Sequence, residues 1–187
     1  MTTHILLFHD HPARSRVNRA LADAAAALPD VTIADMGMLY PSSNDIDVDV
    51  EVARLLAADR LVLQFPVQWY STPPLLKAWQ DKVLTRMFYI NAQTEGDRLK
   101  GLPVMVAATA GNVEAAYAAD GVNLFPLAEL LRPLQATAHR CGWSWTEPFL
   151  LYRATKIGDE ELSRAGRDYA ERLVDWTADT AKTREAA

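Results

Sequence analysis

Three short stretches hold residue types that could do chemistry. In "QFPVQWYSTPPLLKAWQDKVL" (64–84), Gln68, Trp69 and Tyr70 stand together just ahead of two prolines. An amide beside two aromatic rings offers hydrogen bonding and a flat apolar surface, the two properties a heterocycle needs. In "FHDHPARSRVNRAL" (8–21), Ser15 and Asn18 open a helical pattern, with Arg14 and Arg16 alongside. Free N–H groups at a helix start, with Ser15 as N-cap, make a phosphate site there; a capped helix with nothing bound is the plainer reading. In "VAATAGNVEAAY" (106–117), Thr109, Ala110, Gly111 and Asn112 form a small-residue turn that lets a ligand approach the backbone.

The elements around these stretches place them together. Short apolar runs at 5–8, 31–34, 61–65 and 104–108 read as strands. Helical patterns alternate with them at 15–28, 49–58, 73–86, 124–140 (interrupted at Pro133) and 159–181. A fifth strand falls within 145–152, where Pro148 marks an edge position or a break. The expected fold is α/β, a doubly wound parallel five-stranded sheet with helices on both faces, in a single domain over 1–187. In the 49–58 helix, Val50, Ala53, Leu56 and Ala57 fall at core spacing, and Trp79 joins the buried stripe of the 73–86 helix. Such a sheet binds ligands at the carboxyl ends of its strands. All three stretches lie just after strands, so together they suit a flat ring with a phosphate tail, the shape of FMN.

Other readings fall away. A net charge of −5 with scattered basic residues excludes an electrostatic grip on nucleic acid. The pair His9-x-His11 lacks further ligands, so no metal site is expected. Asp45, Asp47, Asp49 and Glu51 alternate like calcium ligands but lack the glycine of a calcium loop, and read instead as a solvated helix start. The lone Cys141 permits no disulfide and reads as a small buried residue. The N-terminus has no basic, long-apolar leader pattern, which points to a cytoplasmic protein.

The stretch "PVQWYSTPPLLKAWQDKVL" resembles the signature of the NAD(P)H:quinone oxidoreductase family, Pro-x-Gln-Trp-Tyr-x-x-Pro-x-x-x-Lys-x-Trp-x-Asp. The similarity continues through "SRVNRAL", "LYP…IDVDVE" and "PLQATAHRCGWSW". It is nearest the flavodoxin-like branch that includes ancillary subunits of glutathione-regulated potassium-efflux systems and general-stress oxidoreductases.

The resemblance implies FMN rather than FAD as cofactor, NADH or NADPH as co-substrate, and a homodimer with the flavin near the subunit interface. It assigns His9, Ser15, Arg16, Val17 and Asn18 to the phosphate side of the flavin. Val67, Gln68, Trp69 and Tyr70 lie against the ring, and Thr109, Ala110, Gly111 and Asn112 form the loop after the fourth strand. Two departures stand out: Thr-Ala-Gly-Asn replaces the family's Thr-Thr-Gly-Gly, and His9-Asp10 replaces His-Pro. Larger relatives use a tyrosine and a histidine beyond that loop to stabilise charge on the reduced flavin. Tyr117 corresponds to the tyrosine, while no histidine lies between His11 and His139. Backbone amides near Gly111 and Asn112, helped by Tyr117, are therefore expected to take that role.

The implied activity passes hydride or electrons from the nicotinamide to a quinone or similar acceptor. The alternative is a regulatory flavoprotein that activates a membrane potassium/proton antiporter. An electron-carrier flavodoxin ranks below both, because carriers of that type are more acidic and lack the Gln-Trp-Tyr loop.

Overall fold

Two largely apolar runs build the middle of the sheet. Strands β3 (Arg60–Pro66) and β4 (Pro103–Thr109) are buried along almost their whole length, as strands covered on both faces must be. The computed structural model describes residues 1–185. Strands β1 (Thr3–Leu7) and β2 (Val31–Asp35) continue the sheet, in the order β2-β1-β3-β4-β5, and every pairing is parallel.

The edge beyond β4 differs from the single strand expected there. It is split into β5 (Ser144–Trp145) and β6 (Phe149–Leu151), so the sheet has six strands rather than five. Trp145 sits opposite Val104 and Phe149 opposite Ala107, four steps along one strand against three along the other. The extra residue bulges out where Pro148 has no N–H to give to the ladder.

Helices cover both faces. Helices α1 (Arg16–Ala26) and α7 (Asp159–Glu185) lie on one side, burying Leu21, Leu162, Tyr169 and Leu173 against Ile5, Val62 and Met105. The opposite core joins Leu63, Phe65 and Val106 to α3 (Val48–Leu56), α4 (Pro74–Trp79) and α6 (Arg132–Arg140). A short α2 (Met36–Leu39), absent from the sequence reading, follows β2, and a short α5 (Leu127–Leu130) precedes α6. Past Trp79 the helix of α4 runs on with π winding through Gln80–Leu84 and Arg86–Ile90. The break expected at Pro133 falls at Leu131 instead. Pro133 sits in the first turn of α6, where its missing N–H costs nothing.

One carboxylate overturns the reading of α3. Glu51 has no exposed surface, so it is not part of a solvated helix start. It accepts hydrogen bonds from Tyr40 Oη at 2.9 Å, Trp79 Nε1 at 3.1 Å and Arg54 Nε at 3.2 Å. Its burial rotates the helix from the expected phase: Val52 and Leu55 enter the core, and Val50, Ala53 and Ala57 face solvent. The three other acidic residues do behave as a helix start. Asp47 caps the Val50 N–H at 3.1 Å, Asp45 closes a capping box with Ser42, and Asp49 pairs with Arg86.

Burial, and then its bond to Glu51, pushes the Tyr40 hydroxyl up to about 12 from an ordinary value of 10.0. The fold thus favours the protonated form. The stability this adds is complete below pH 10 and is lost as pH rises through 10 towards about 12. Tyr40→Phe should therefore be about 1 kcal/mol less stable than the native chain at pH 8. Urea unfolding should show that gap closing as pH climbs through that window; a constant gap would remove the hydrogen bond as its cause.

Candidate active site

The loops after β1, β3, β4 and β6 meet at the carboxyl edge of the sheet. Between β1 and β3 the winding reverses, since β2 lies on one side of β1 and β3 on the other. A reversal of this kind leaves a crevice at the strand ends. Here it is a cleft of about 480 Å³, lined among others by His9, Ser15, Asn18, Val67, Thr109 and Gly111.

The end of the cleft at the start of α1 is built from buried polar groups. Ser15 stands at the N-cap of α1, yet its side chain makes no capping bond, contrary to the sequence reading. Ser15 Oγ and Asn18 Oδ1 are both buried with no partner among the described residues. The first-turn N–H groups of α1 have no intrahelical acceptor by helix geometry. Asn18 is held from two sides: its Nδ2 donates to Thr109 Oγ1 at 2.9 Å, and its carbonyl accepts from Gln64 Nε2 at 2.7 Å. Gln64 Oε1 in turn accepts from Tyr169 Oη at 3.2 Å. Buried polar atoms left unpaired are costly, so a ligand that pairs them is strongly favoured.

Two cations behave differently here. Arg14 lines the cleft and has no ion-pair partner among the described residues. Arg16 also lines it, but its guanidinium is bound to Asp159 and to the Ile157 carbonyl at 2.9 Å, so it braces α7 instead of reaching freely for an anion. His9 accepts the His11 N–H at its Nδ1, at 3.0 Å, which places the proton of the neutral ring on Nε2. Desolvation is the main cause that lowers the His9 pKa below its ordinary 6.5, with the Asp10 charge opposing it.

Just past Val67, Gln68 and Ser71 exchange two backbone hydrogen bonds of 3.0 Å around a two-residue turn. Trp69 and Tyr70 fill its corners with φ of 44° and 64°, where such a turn normally takes Asn or Gly. Holding non-glycine residues there costs about 1–3 kcal/mol each, and strain of this kind gathers at binding sites. Trp69 is 92% exposed, its ring edge-on to Tyr70 with centroids 6.5 Å apart.

The loop after β4 is tied down from behind. Ala110 bonds through both its N–H and its carbonyl, to Leu151 O and Ala154 N, while Asn112 O accepts from Arg153 N at 2.8 Å. The N–H groups of Gly111 and Asn112 have no acceptor among the described residues. Asn112 has no positive φ, so its place in the family's glycine position brings no strain. Ala110 is buried and offers only its backbone. A Cβ on Gly111 would come within 3.2 Å of Thr155 Cγ2. Tyr117 lies outside the cleft wall in a small cluster with Ala110 and Leu127, its ring 5.6 Å from Tyr152. Burial raises the Tyr117 hydroxyl pKa.

Of the residues singled out in the sequence, His9, Ser15, Arg16, Val17, Asn18, Val67, Thr109 and Gly111 line the cleft, whereas Gln68, Trp69, Tyr70, Ala110, Asn112 and Tyr117 do not. Sequence reasoning missed Gln64, Ala154 and Thr155. The last two lie after β6, and the rule that ligands bind at strand ends would have found them had that strand been placed.

The chain belongs to the flavodoxin-like fold family (Flavodoxin_2), whose pattern it matches over residues 1–173. It is 40% identical over 174 residues to the uncharacterized NAD(P)H oxidoreductase YdeQ of Bacillus subtilis, covering 93% of this chain and 87% of that one. It is also 40% identical over 172 residues to the glutathione-regulated potassium-efflux system ancillary protein KefF of Klebsiella pneumoniae, covering 92% and 94%. Among solved structures, general stress protein 14 of Treponema denticola in complex with FMN superimposes with a TM-score of 0.83 at 34% identity, covering 96% and 99%. An NADPH-quinone reductase from P. pentosaceus does so with 0.78 at 26% identity, covering 92% and 97%. A chain described as a thermophilic tryptophan halogenase from Streptomycin violaceusniger gives 0.84 at 41% identity, covering 91% and 97%.

The donors present fit FMN. Ser15 Oγ, the α1 N–H groups and Arg14 suit its phosphate, and the unpaired Asn18 Oδ1 suits a hydroxyl of its sugar chain. Ser15→Ala should therefore weaken FMN binding about tenfold, the effect of one lost hydrogen bond to a charged group, and leave riboflavin unchanged. Fluorescence titration checks this; equal losses for both ligands would return Ser15 to a purely helical role. Trp79→Ala should cost about 3–5 kcal/mol of stability, while Trp69→Ala should change it by less than about 0.5 kcal/mol. Similar melting temperatures for the two cofactor-free variants would make the aromatic turn a packing element.

Proposed function

We infer that the protein is an FMN-dependent NAD(P)H oxidoreductase that passes hydride or electrons to a quinone or similar acceptor. The observation that carries this reading is the pair of buried atoms without a partner among the described residues, Ser15 Oγ and Asn18 Oδ1, at a cleft whose lining residue Val67 leads directly into a strained aromatic turn. Relatives named as NAD(P)H oxidoreductases and a structural neighbour complexed with FMN agree with it. Fold likeness alone does not choose a reaction, so the halogenase description of one neighbour is not carried over.

FMN, when bound, supplies the exchange of hydride and electrons between the nicotinamide and the acceptor. The chain supplies position and charge. Ser15, Asn18 and the start of α1 anchor the phosphate end, with Arg16, Val17 and His9 beside them. The Gln68–Tyr70 turn and Val67 border the ring, and Trp69 leaves a broad apolar surface facing solvent where a second flat molecule can lie. The free N–H groups of Gly111 and Asn112 donate where negative charge develops, assisted by Tyr117. Thr109 and Ala110 hold that loop in place.

A second copy of the chain completes the site in this reading. An open groove of about 480 Å³ runs between the helix of α4 and α6, floored by Leu84, Leu131 and Leu134, and begins beside Tyr70. Tyr89 and Ile90 stand exposed near it. Uncovered apolar surface of this extent next to a site fits an interface between subunits.

A second function is favoured by the efflux-system relatives: a regulatory flavoprotein seated on a potassium/proton antiporter. No helix among the described residues is long and apolar enough to cross a membrane. A cytoplasmic protein, held at the membrane only through such a partner, agrees with both functions.

Mixing the purified protein with FMN, then NADH or NADPH, then a quinone should bleach and restore the flavin absorption band. Heat-released cofactor should be FMN; recovery of FAD, or no bleaching with either nicotinamide, would overturn the reading. His139 is exposed on α6. The stopped-flow rate of flavin reduction should thus show no ionisation near pH 6.5 that His139→Ala abolishes.

A further inference from the structure

Asp10 is the residue that departs from the family's His-Pro, and it does not line the cleft. Its carboxylate Oδ2 accepts a hydrogen bond from Gln68 Nε2 at 2.8 Å, joining the loop after β1 to the turn after β3. At the other corner of the turn, Tyr70 Oη bonds to Asn123 Oδ1 at 3.3 Å. The strained pair Trp69–Tyr70 is thus strapped at both ends by side chains from other loops. A carboxylate can only accept, so it draws the nitrogen of the Gln68 amide and turns Oε1 the other way. Left to itself, a glutamine amide presents either end to a ligand. Here the choice is made before a ligand arrives.

We propose that Asp10 is a positioning residue for the ring end of the flavin site: it holds the Gln68–Ser71 turn in its strained form and presents Gln68 Oε1 as an acceptor. The proposal rests on the flavin reading above. An acceptor at that point selects a ligand edge that carries an N–H, which the pyrimidine edge of the isoalloxazine does. Preorganisation of this kind strengthens binding because the ordering cost is met in the empty protein. Its effect must fall on the ring and not on the phosphate, the opposite of what Ser15 does.

The test uses the full chain with Asp10→Ala and Asp10→Asn. In the cofactor-free protein, Asp10→Ala should speed hydrogen exchange of the Gln68 and Ser71 amides at least fivefold and leave the β3 amides unchanged. Loss of this one charged hydrogen bond should weaken FMN and riboflavin by the same factor, about tenfold. Asp10→Asn keeps an acceptor but lets both amides reverse, and should fall between the native chain and Asp10→Ala. Unchanged exchange at Gln68 and Ser71, or a loss confined to FMN, would overturn the proposal. If the native protein bound neither flavin, the functional reading would fail, and the exchange measurement would still decide whether Asp10 holds the turn.

Discussion

Gln64 is a buried amide in the middle of the central strand, and the site is organised around it. Its nitrogen holds the carbonyl of Asn18 in the first turn of α1, and its oxygen takes the hydroxyl of Tyr169 from α7. A polar group at that depth is stable only when its hydrogen bonds are made, so the strand admits α1 and α7 in one arrangement. That arrangement puts Asn18 within reach of Thr109 at the end of β4. The start of a helix and the ends of two strands are thereby set in register at the switch point, and Ser15 Oγ and Asn18 Oδ1 are left buried there without a partner among the described residues.

A second buried polar group does the equivalent work on the opposite face. Glu51 gathers Tyr40, Trp79 and Arg54, and so draws together the segment around "LYP", the start of α3 and the helix that follows the aromatic turn. Trp79 also lies edge-on to Phe8, centroids 5.9 Å apart, and Phe8 immediately precedes His9. The two stretches that carried the family resemblance on this side, "IDVDVE" and "KAWQD", thus meet at one carboxylate. Removing one partner of such a group leaves the others buried and unpaired, which is why these residue types occur together.

Rigid strands and a strained turn divide the labour. The sheet and its two cores allow little movement, and the loops at its edge are tied to one another by backbone bonds, such as Ala154 N to Ala110 O at 2.9 Å. Against that frame the Trp69–Tyr70 turn can be kept in a conformation that would relax in isolation. The aromatic surface it offers is apolar and exposed, on a backbone turn closed by two hydrogen bonds.

Much of the fold could be read from the chain alone because apolar periodicity is local: it gave the order of strands and helices, the buried stripe of α4 with Trp79, and the inward face of α7. The Gln-Trp-Tyr and Ser-x-x-Asn stretches carried the family resemblance, and the structure places both just after strands at the carboxyl edge of the sheet. Sequence periodicity misphased α3, because Glu51 counts as polar in any pattern yet is buried through partners far away in the chain. The N-cap expected at Ser15 makes no side-chain capping bond, and the sequence could not show that packing against α7 binds Arg16 to Asp159. It could not see that Asp10 faces Gln68, 58 positions away. Local pattern determined which elements form and what chemistry their ends carry. Which polar atoms are paired within the protein and which stay open to a ligand is decided only when distant segments pack, because a hydrogen bond depends on position in space and not on separation along the chain.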